Sequence, residues 1–218
     1  MRSQDFFRWD WIASHLDEIW FRTLEHLQLT GVALGVGFFV ALVLSLVAIR
    51  YRWTYSPITW FTGVLYTIPS IALFVLLVPV TGLTRTTAEI GLVSYTLLIL
   101  IRNTVAGIDA VPVSVREAGI AMGYRRWRLF FEIELPLAIP VIVAGLRIAA
   151  VTTVGLVTIS ALIGQGGYGY FILDGLRRRF NTPLFLGATL SVALAVAFDL
   201  LLLGAERALT PWARRARP

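Results

Sequence analysis

The stretch LQLTGVALGVGFFVALVLSLVAI, residues 27–49, carries no formal charge from Leu27 to Ile49. At about 1.5 Å of rise per residue, a helix of that length covers a hydrocarbon core of roughly 30 Å, so it reads as a transmembrane span. Arg50 and Arg52 close it. The rest of the chain has the same character: 57% of the 218 residues are apolar and only 15% are charged. That balance belongs to an integral membrane domain rather than a soluble one.

Upstream of this span, Asp5, Asp10, Asp17, Glu18 and Glu25 are interleaved with Phe6, Phe7, Trp9, Trp11, Trp20 and Phe21. The mixture lacks the basic start and continuous apolar centre of a signal peptide, and residues 1–26 read as an interfacial amphipathic segment. Downstream, Trp53 to Thr84 is uncharged and holds a second span, kinked near Pro69. Ile90 to Gly107 makes a third. Leu137 to Ile163, interrupted by Arg147, makes a fourth, and Pro183 to Leu203, containing Asp199, a fifth. Residues 27–209 thus form one all-α membrane domain, with a loop over about 103–136 and a basic tail over 210–218.

All 19 basic residues are arginine. A P-loop needs its lysine to hold the β and γ phosphates, so the chain is no P-loop ATPase, and ATP-driven work has to come from a partner. There are no cysteines, which excludes disulfides and thiolate metal sites. His15 and His26 stand outside any metal-ligand spacing and read as surface or interfacial residues, so neither a metal nor a cofactor is expected. The net charge of +6 sits at the ends of apolar spans rather than along one polar face, which argues for membrane topology and against nucleic acid.

With the 103–136 loop inside, the inner set is Arg50, Arg52, Arg102, Arg116, Arg125, Arg126, Arg128, Arg207, Arg214, Arg215 and Arg217. It outnumbers the outer set of Arg2, Arg8, Arg22, Arg85, Arg177, Arg178 and Arg179. The bias predicts an external N-terminus and a cytoplasmic C-terminus, with the triple arginine as the dissenting feature.

Ser114-Val115-Arg116-Glu117 has the S-x-x-E form of a capping box, and Gly123 is placed to end a two-turn helix in a left-handed cap. Local physics alone leaves two readings, an ordinary capped loop helix and a knob that seats in another protein. Glu117-Ala118-Gly119, then Gly123, then Ile133-Glu134-Leu135-Pro136 resembles the EAA motif of binding-protein-dependent ABC permeases, spacing included, with Gly119 in place of an alanine. The resemblance runs over nearly all of Leu27 to Leu209. Its closest flavour is the glycine betaine, choline, carnitine and proline betaine permeases, through Thr67-Ile68-Pro69-Ser70, Leu100-Ile101-Arg102-Asn103-Thr104 and Ala161-Leu162-Ile163-Gly164-Gln165-Gly166-Gly167-Tyr168-Gly169.

The resemblance implies a type I importer permease fold (MetI-like) of about five spans in a bacterial inner or plasma membrane. It implies no catalysis in this chain. The implied partners are two ABC ATPase subunits, an extracytoplasmic substrate-binding protein, a second permease copy or a paralogue, and membrane lipid. Ser114, Glu117, Ala118, Gly119, Gly123, Leu135 and Pro136 would couple to the ATPase, and the solute would be a quaternary ammonium osmoprotectant. The rival solutes are other small molecules such as amino acids, and the rival class is a secondary carrier or channel without an ATPase.

Arg147 lies about ten residues into the fourth span, where inserting an arginine costs roughly 2.5–3.5 kcal/mol, so a partner or a wet cavity is expected, and Asp199 is a candidate partner for a structural ion pair near the inner mouth. Tyr66, Phe74 and Tyr95 are candidate cation-π faces for a quaternary ammonium in the pathway, with core or lipid contact as the alternative. Gly164, Gly166, Gly167 and Gly169 lack a preceding strand and a lysine, and read as a flexible outer loop rather than a phosphate cradle.

Overall fold

A computed structural model describes residues 7–214, and among these there are helices but no strands. Arg2, Arg215 and Arg217, together with much of the basic tail, lie outside the described residues. The order is α1 (Trp9–Ser14), α2 (Leu16–Arg50), α3 (Tyr55–Thr67), α4 (Ser70–Thr81), α5 (Arg85–Asp109), α6 (Val113–Ala121), α7 (Arg126–Leu129), a π-helical segment (Phe130–Glu134), α8 (Leu135–Ile159), α9 (Gly169–Arg178) and α10 (Asn181–Leu209).

The first span begins earlier than its apolar run. α2 is continuous from Leu16, so the polar residues Asp17, Glu18 and Glu25 form its first turns and only Trp9–Ser14 is a separate short helix. Four helical stretches are long and apolar enough to cross a membrane. The broken pair α3 and α4, bent by 97°, brings the number to five if it counts as one span. The break follows from Pro69, which forces Ile68 out of the helical region to ψ 127°. A carbonyl freed there must find a donor in a dry environment. The hydroxyl of Tyr95 on α5 donates to the Ile68 carbonyl.

α5 is the central helix, packed on α2, α3, α4 and α8. Small residues let the backbones approach. Gly37 on α2 faces Thr96 on α5, and Gly145 on α8 faces Asn103. A Cβ at either glycine would overlap the facing side chain, the close-approach device of membrane helix pairs. The core between them contains Leu34, Ala41 and Ala48 of α2, Leu100, Ile101 and Val105 of α5, and Ala149 and Ala150 of α8. The hydroxyls of Thr153 and Ser191 bond back to their own helix, Thr153 to the Ala149 carbonyl at 2.7 Å and Ser191 to that of Gly187 at 2.7 Å, so no partner across the bundle is required of these two.

The helices run alternately between two ends. One end carries the start of α2, the α4–α5 turn and the glycine segment. The other carries Arg50, Arg52, Asp109, α6, α7 and the end of α10.

Two expectations are corrected at the first end. His26 is fully buried. Its Nε2 donates to the Val154 carbonyl at 3.2 Å, and its Nδ1 accepts from the Tyr168 amide at 3.3 Å. A carbonyl can only accept and an amide only donate, so the ring is held as the Nε2 tautomer. The glycine segment is likewise no flexible loop: Gly167, at φ +47°, lies against His26, while Gly169 lies against the Thr158 carbonyl. Glycine is needed there for lack of room, and α9 follows at once.

Gly145→Leu is expected to lower stability by about 1–3 kcal/mol or more through overpacking against Asn103. Gly155→Leu, with nothing within 4 Å of its Cβ position, leaves it unchanged or raised. Thermal unfolding of the detergent-solubilised chain, followed by tryptophan fluorescence, reads both.

Candidate functional site

α6 is a surface helix held on one face. Gly119 is buried, and a Cβ there would overlap Leu129 of α7, with Ile133 of the π-helical segment at 3.1 Å. That crowding explains glycine where the EAA pattern has alanine. Val113 (65% exposed) and Ile120 (62%) on α6 and Met122 (67%) at its C-cap are exposed, as are Ser114, Glu117 and Ala118. Three exposed apolar side chains and a carboxylate on one short helix and its cap make a surface suited to a partner.

The N-terminus of α6 corrects the capping box. The helix starts at Val113 with Pro112 at its cap, and no side chain caps it. Ser114 therefore lies inside the first turn. Pro112 fixes the entry instead, because its ring already holds the backbone near the required φ. The C-terminus is as the sequence predicts: the Tyr124 amide bonds the Gly119 carbonyl at 3.1 Å, the Gly123 amide that of Ile120 at 2.9 Å, and Gly123 has φ +83°. Together these make a Schellman cap.

Arg116 fastens α6 to its neighbours, with Nε 2.8 Å from Glu134 Oε1 and a guanidinium N–H donating to the Ile108 carbonyl at 2.5 Å. Glu134 ends the π-helical segment, and Leu135 and Pro136 open α8. Pro136 has no amide hydrogen, and its ring would clash with the carbonyl four residues back, which accounts for the widened turn before it. The fourth membrane helix and α6 are thereby one mechanical unit.

Farther into the bundle, Arg147 and Asp199 are paired by two hydrogen bonds, Nε to Oδ1 at 2.8 Å and Nη2 to Oδ2 at 2.9 Å. Glu206 lies 3.7 Å from Nη1 of the same arginine. The two-pronged geometry suits guanidinium and carboxylate planes and ties α8 to α10.

The three candidate aromatics separate. Phe74 is 1% exposed and belongs to the core with Leu29, Ala33 and Leu92. Tyr95 is 5% exposed and its hydroxyl is committed to Ile68. Tyr66 stands edge-on to Tyr95 at 5.9 Å between ring centroids and is 39% exposed, the one ring of the three that is not buried.

The family model described as "Binding-protein-dependent transport system inner membrane component" matches residues 33–213. The chain belongs to this family. Among the permease's relatives is the osmoprotectant import permease protein OsmW of Salmonella typhimurium strain LT2, 35% identical over 194 residues covering 87% of this chain and 90% of that one. Another is the glycine betaine/carnitine/choline transport system permease protein OpuCB of Bacillus subtilis strain 168, 32% identical over 89% of both. The permease also superposes on a chain of the inward-facing MetNI methionine ABC transporter with a TM-score of 0.76 at 21% identity, covering 94% of this chain and 100% of that one. An amino acid ABC transporter gives 0.72 at 18% identity, covering 92% and 98%. At such identities the likeness is one of fold, and that fold is the MetI-like permease.

The Arg116–Glu134 ion pair and the His26 contacts of the permease escaped sequence reasoning. Arg116 sits inside the S-x-x-E string and Glu134 inside I-x-L-P, so both were in view. Nothing in their spacing says that the strings touch.

Gly123→Val in the permease forces a β-branched residue into the left-handed region, at a cost of about 1–2 kcal/mol, and amides 119–124 are expected to exchange faster with solvent by hydrogen-exchange mass spectrometry. Arg147→Ala leaves Asp199 without its partner, and Asp199→Ala leaves Arg147 with only the more distant Glu206. The double variant is expected to lose less thermal stability than the two single losses added.

Proposed function

We propose that this permease is the translocating subunit of an ATP-driven importer and that α6 is its coupling helix. Residues 27–209 form the translocating domain, and 210–218 a tail on the cytoplasmic side. Two copies, or one copy and a paralogue, enclose the pathway, and two ATPase subunits each receive one α6 in a cleft. The carrying observation is the exposure of Val113, Glu117, Ile120 and Met122 on a short helix and its cap, which Gly119 and Arg116 fasten to the elements behind. Closure of the ATPases on ATP draws the two α6 helices together. Through Glu134 and Pro136 the displacement enters α8, and through Arg147 and Asp199 it enters α10, so the spans rock as a unit between inward-facing and outward-facing states.

The end bearing α6 is the cytoplasmic one, with the N-terminus outside, and a loaded binding protein docks at the opposite end near Gly164–Gly169. The short-loop arginine bias supports this orientation. The solute is a quaternary ammonium osmoprotectant: the relatives quoted above are named for osmoprotectant, glycine betaine, carnitine and choline transport, and Tyr66 offers a π face at the broken span. The Arg147–Asp199 pair is structural, holding the inner mouth.

Reconstitution in proteoliposomes with the ATPase and binding protein is the test. Labelled glycine betaine or choline should enter only with all components and ATP, with carnitine and proline betaine competing and methionine not. Uptake by the permease alone would refute the ATPase scheme, and competition by methionine would refute the solute. Met122→Asp at the exposed patch is expected to abolish ATPase co-purification and uptake.

A further inference from the structure

Between the ends of α2 and α5 and the α6–α7 segment lies an open cavity of about 500 Å³. Its wall carries four guanidinium groups, Arg50, Arg52, Arg116 and Arg126, against two carboxylates, Asp109 and Glu134. The carboxylates are already used: Arg52 donates to Asp109 at 2.6 Å, and Arg116 is ion-paired with Glu134 at 2.8 Å. Among the described residues, no ion pair reaches Arg50, which leans on the Tyr51 ring at 5.0 Å, or Arg126. The cavity thus holds an uncompensated charge of two. Its floor is apolar, made by Ile49, Ile108, Leu129 and Phe130.

Arg50 is the last residue of the first span and Asp109 the last of the central helix, which sets the cavity at the level of the lipid headgroups. Trp127, 71% exposed at its rim, is the residue type that favours this depth. A free anion would satisfy the arginines and leave the apolar floor wet. A ligand with an anionic phosphate and hydrocarbon attached satisfies both, and basic pockets beside transmembrane helices on the cytoplasmic side hold such headgroups.

We infer that this cavity binds the headgroup of an anionic phospholipid of the inner leaflet, with Arg50 and Arg126 holding the phosphate and the apolar floor receiving the start of an acyl chain. The cytoplasmic placement of this end rests on the function proposed above. Because α6 supplies Arg116 and Ile120 to the wall, a bound lipid braces the coupling helix against α2 and α5. Transport is then sensitive to anionic lipid without any contact to the solute.

The test uses the full permease–ATPase complex, purified in mild detergent and exchanged into nanodiscs of phosphatidylcholine alone or phosphatidylcholine with phosphatidylglycerol in equal parts. In wild type, phosphatidylglycerol should be retained by native mass spectrometry after delipidation and should raise ATP hydrolysis. In R50Q/R126Q its apparent affinity should fall about thirtyfold, the effect of removing two arginine–phosphate contacts at the membrane surface, and the stimulation should vanish. R50K/R126K, which keeps the charge, restores most of it and shows that loss in the glutamine variant is not misfolding. Equal retention by wild type and R50Q/R126Q would overturn the proposal. So would displacement of the lipid by millimolar inorganic phosphate, which would make this a free-anion site, or undiminished stimulation in R50Q/R126Q. Failure of uptake with normal lipid retention would instead strike the proposed function and leave this site standing.

Discussion

Everything in this molecule depends on the absence of water around its backbone. In a hydrocarbon layer each amide and carbonyl needs an internal partner, so the chain is helical wherever it crosses, and helices gain nothing from burying apolar surface that lipid would cover as well. What remains to hold them together is close contact. Gly37 against Thr96 and Gly145 against Asn103 bring α2 and α8 onto α5 at distances a larger residue forbids. At the break before Pro69, the Ile68 carbonyl is satisfied by the hydroxyl of Tyr95.

From that packed centre the peripheral elements are held by a few polar links. α6 is short and would not persist alone. It is made rigid by Leu129 behind Gly119, by the Schellman cap at Gly123, and by Arg116 reaching Glu134 and the Ile108 carbonyl. The same Glu134 precedes the proline that opens α8, and α8 carries the arginine paired with Asp199 of α10. A continuous path of ion pairs and helix thus runs from α6 into two spans. At the opposite end, His26 fastens the glycine segment to α2 and α8 by two hydrogen bonds, so that end is also a built surface rather than loose chain.

Much of this was legible in the sequence. The five apolar stretches, the Pro69 break, the Gly123 cap and the EAA-like string are each local, depending on residues within a turn or two. So is the expectation of a partner for Arg147, because an arginine inside a span is costly whatever the fold, and the depth of Asp199 made it a candidate. The misreadings share a cause. Ser114 looked like a cap by spacing, yet Pro112 two residues earlier sets the start of α6. His26 and the glycine run looked like surface and loop because, taken singly, neither has a local reason to be buried.

Composition and periodicity by themselves determined that the chain is an all-helical membrane domain, that it lacks the lysine of a P-loop, and that a two-turn helix ends at Gly123, since these follow from transfer free energy, missing side chains and backbone φ. Only the tertiary structure decided that His26 clamps Tyr168, that Gly119 is glycine because Leu129 lies against it, that Phe74 and Tyr95 are core while Tyr66 is open, and that four arginines from separate segments share one cavity. Each of these is a meeting of residues distant in the chain. Which surfaces meet is settled by the crossing geometry of packed helices, and no local pattern carries that information.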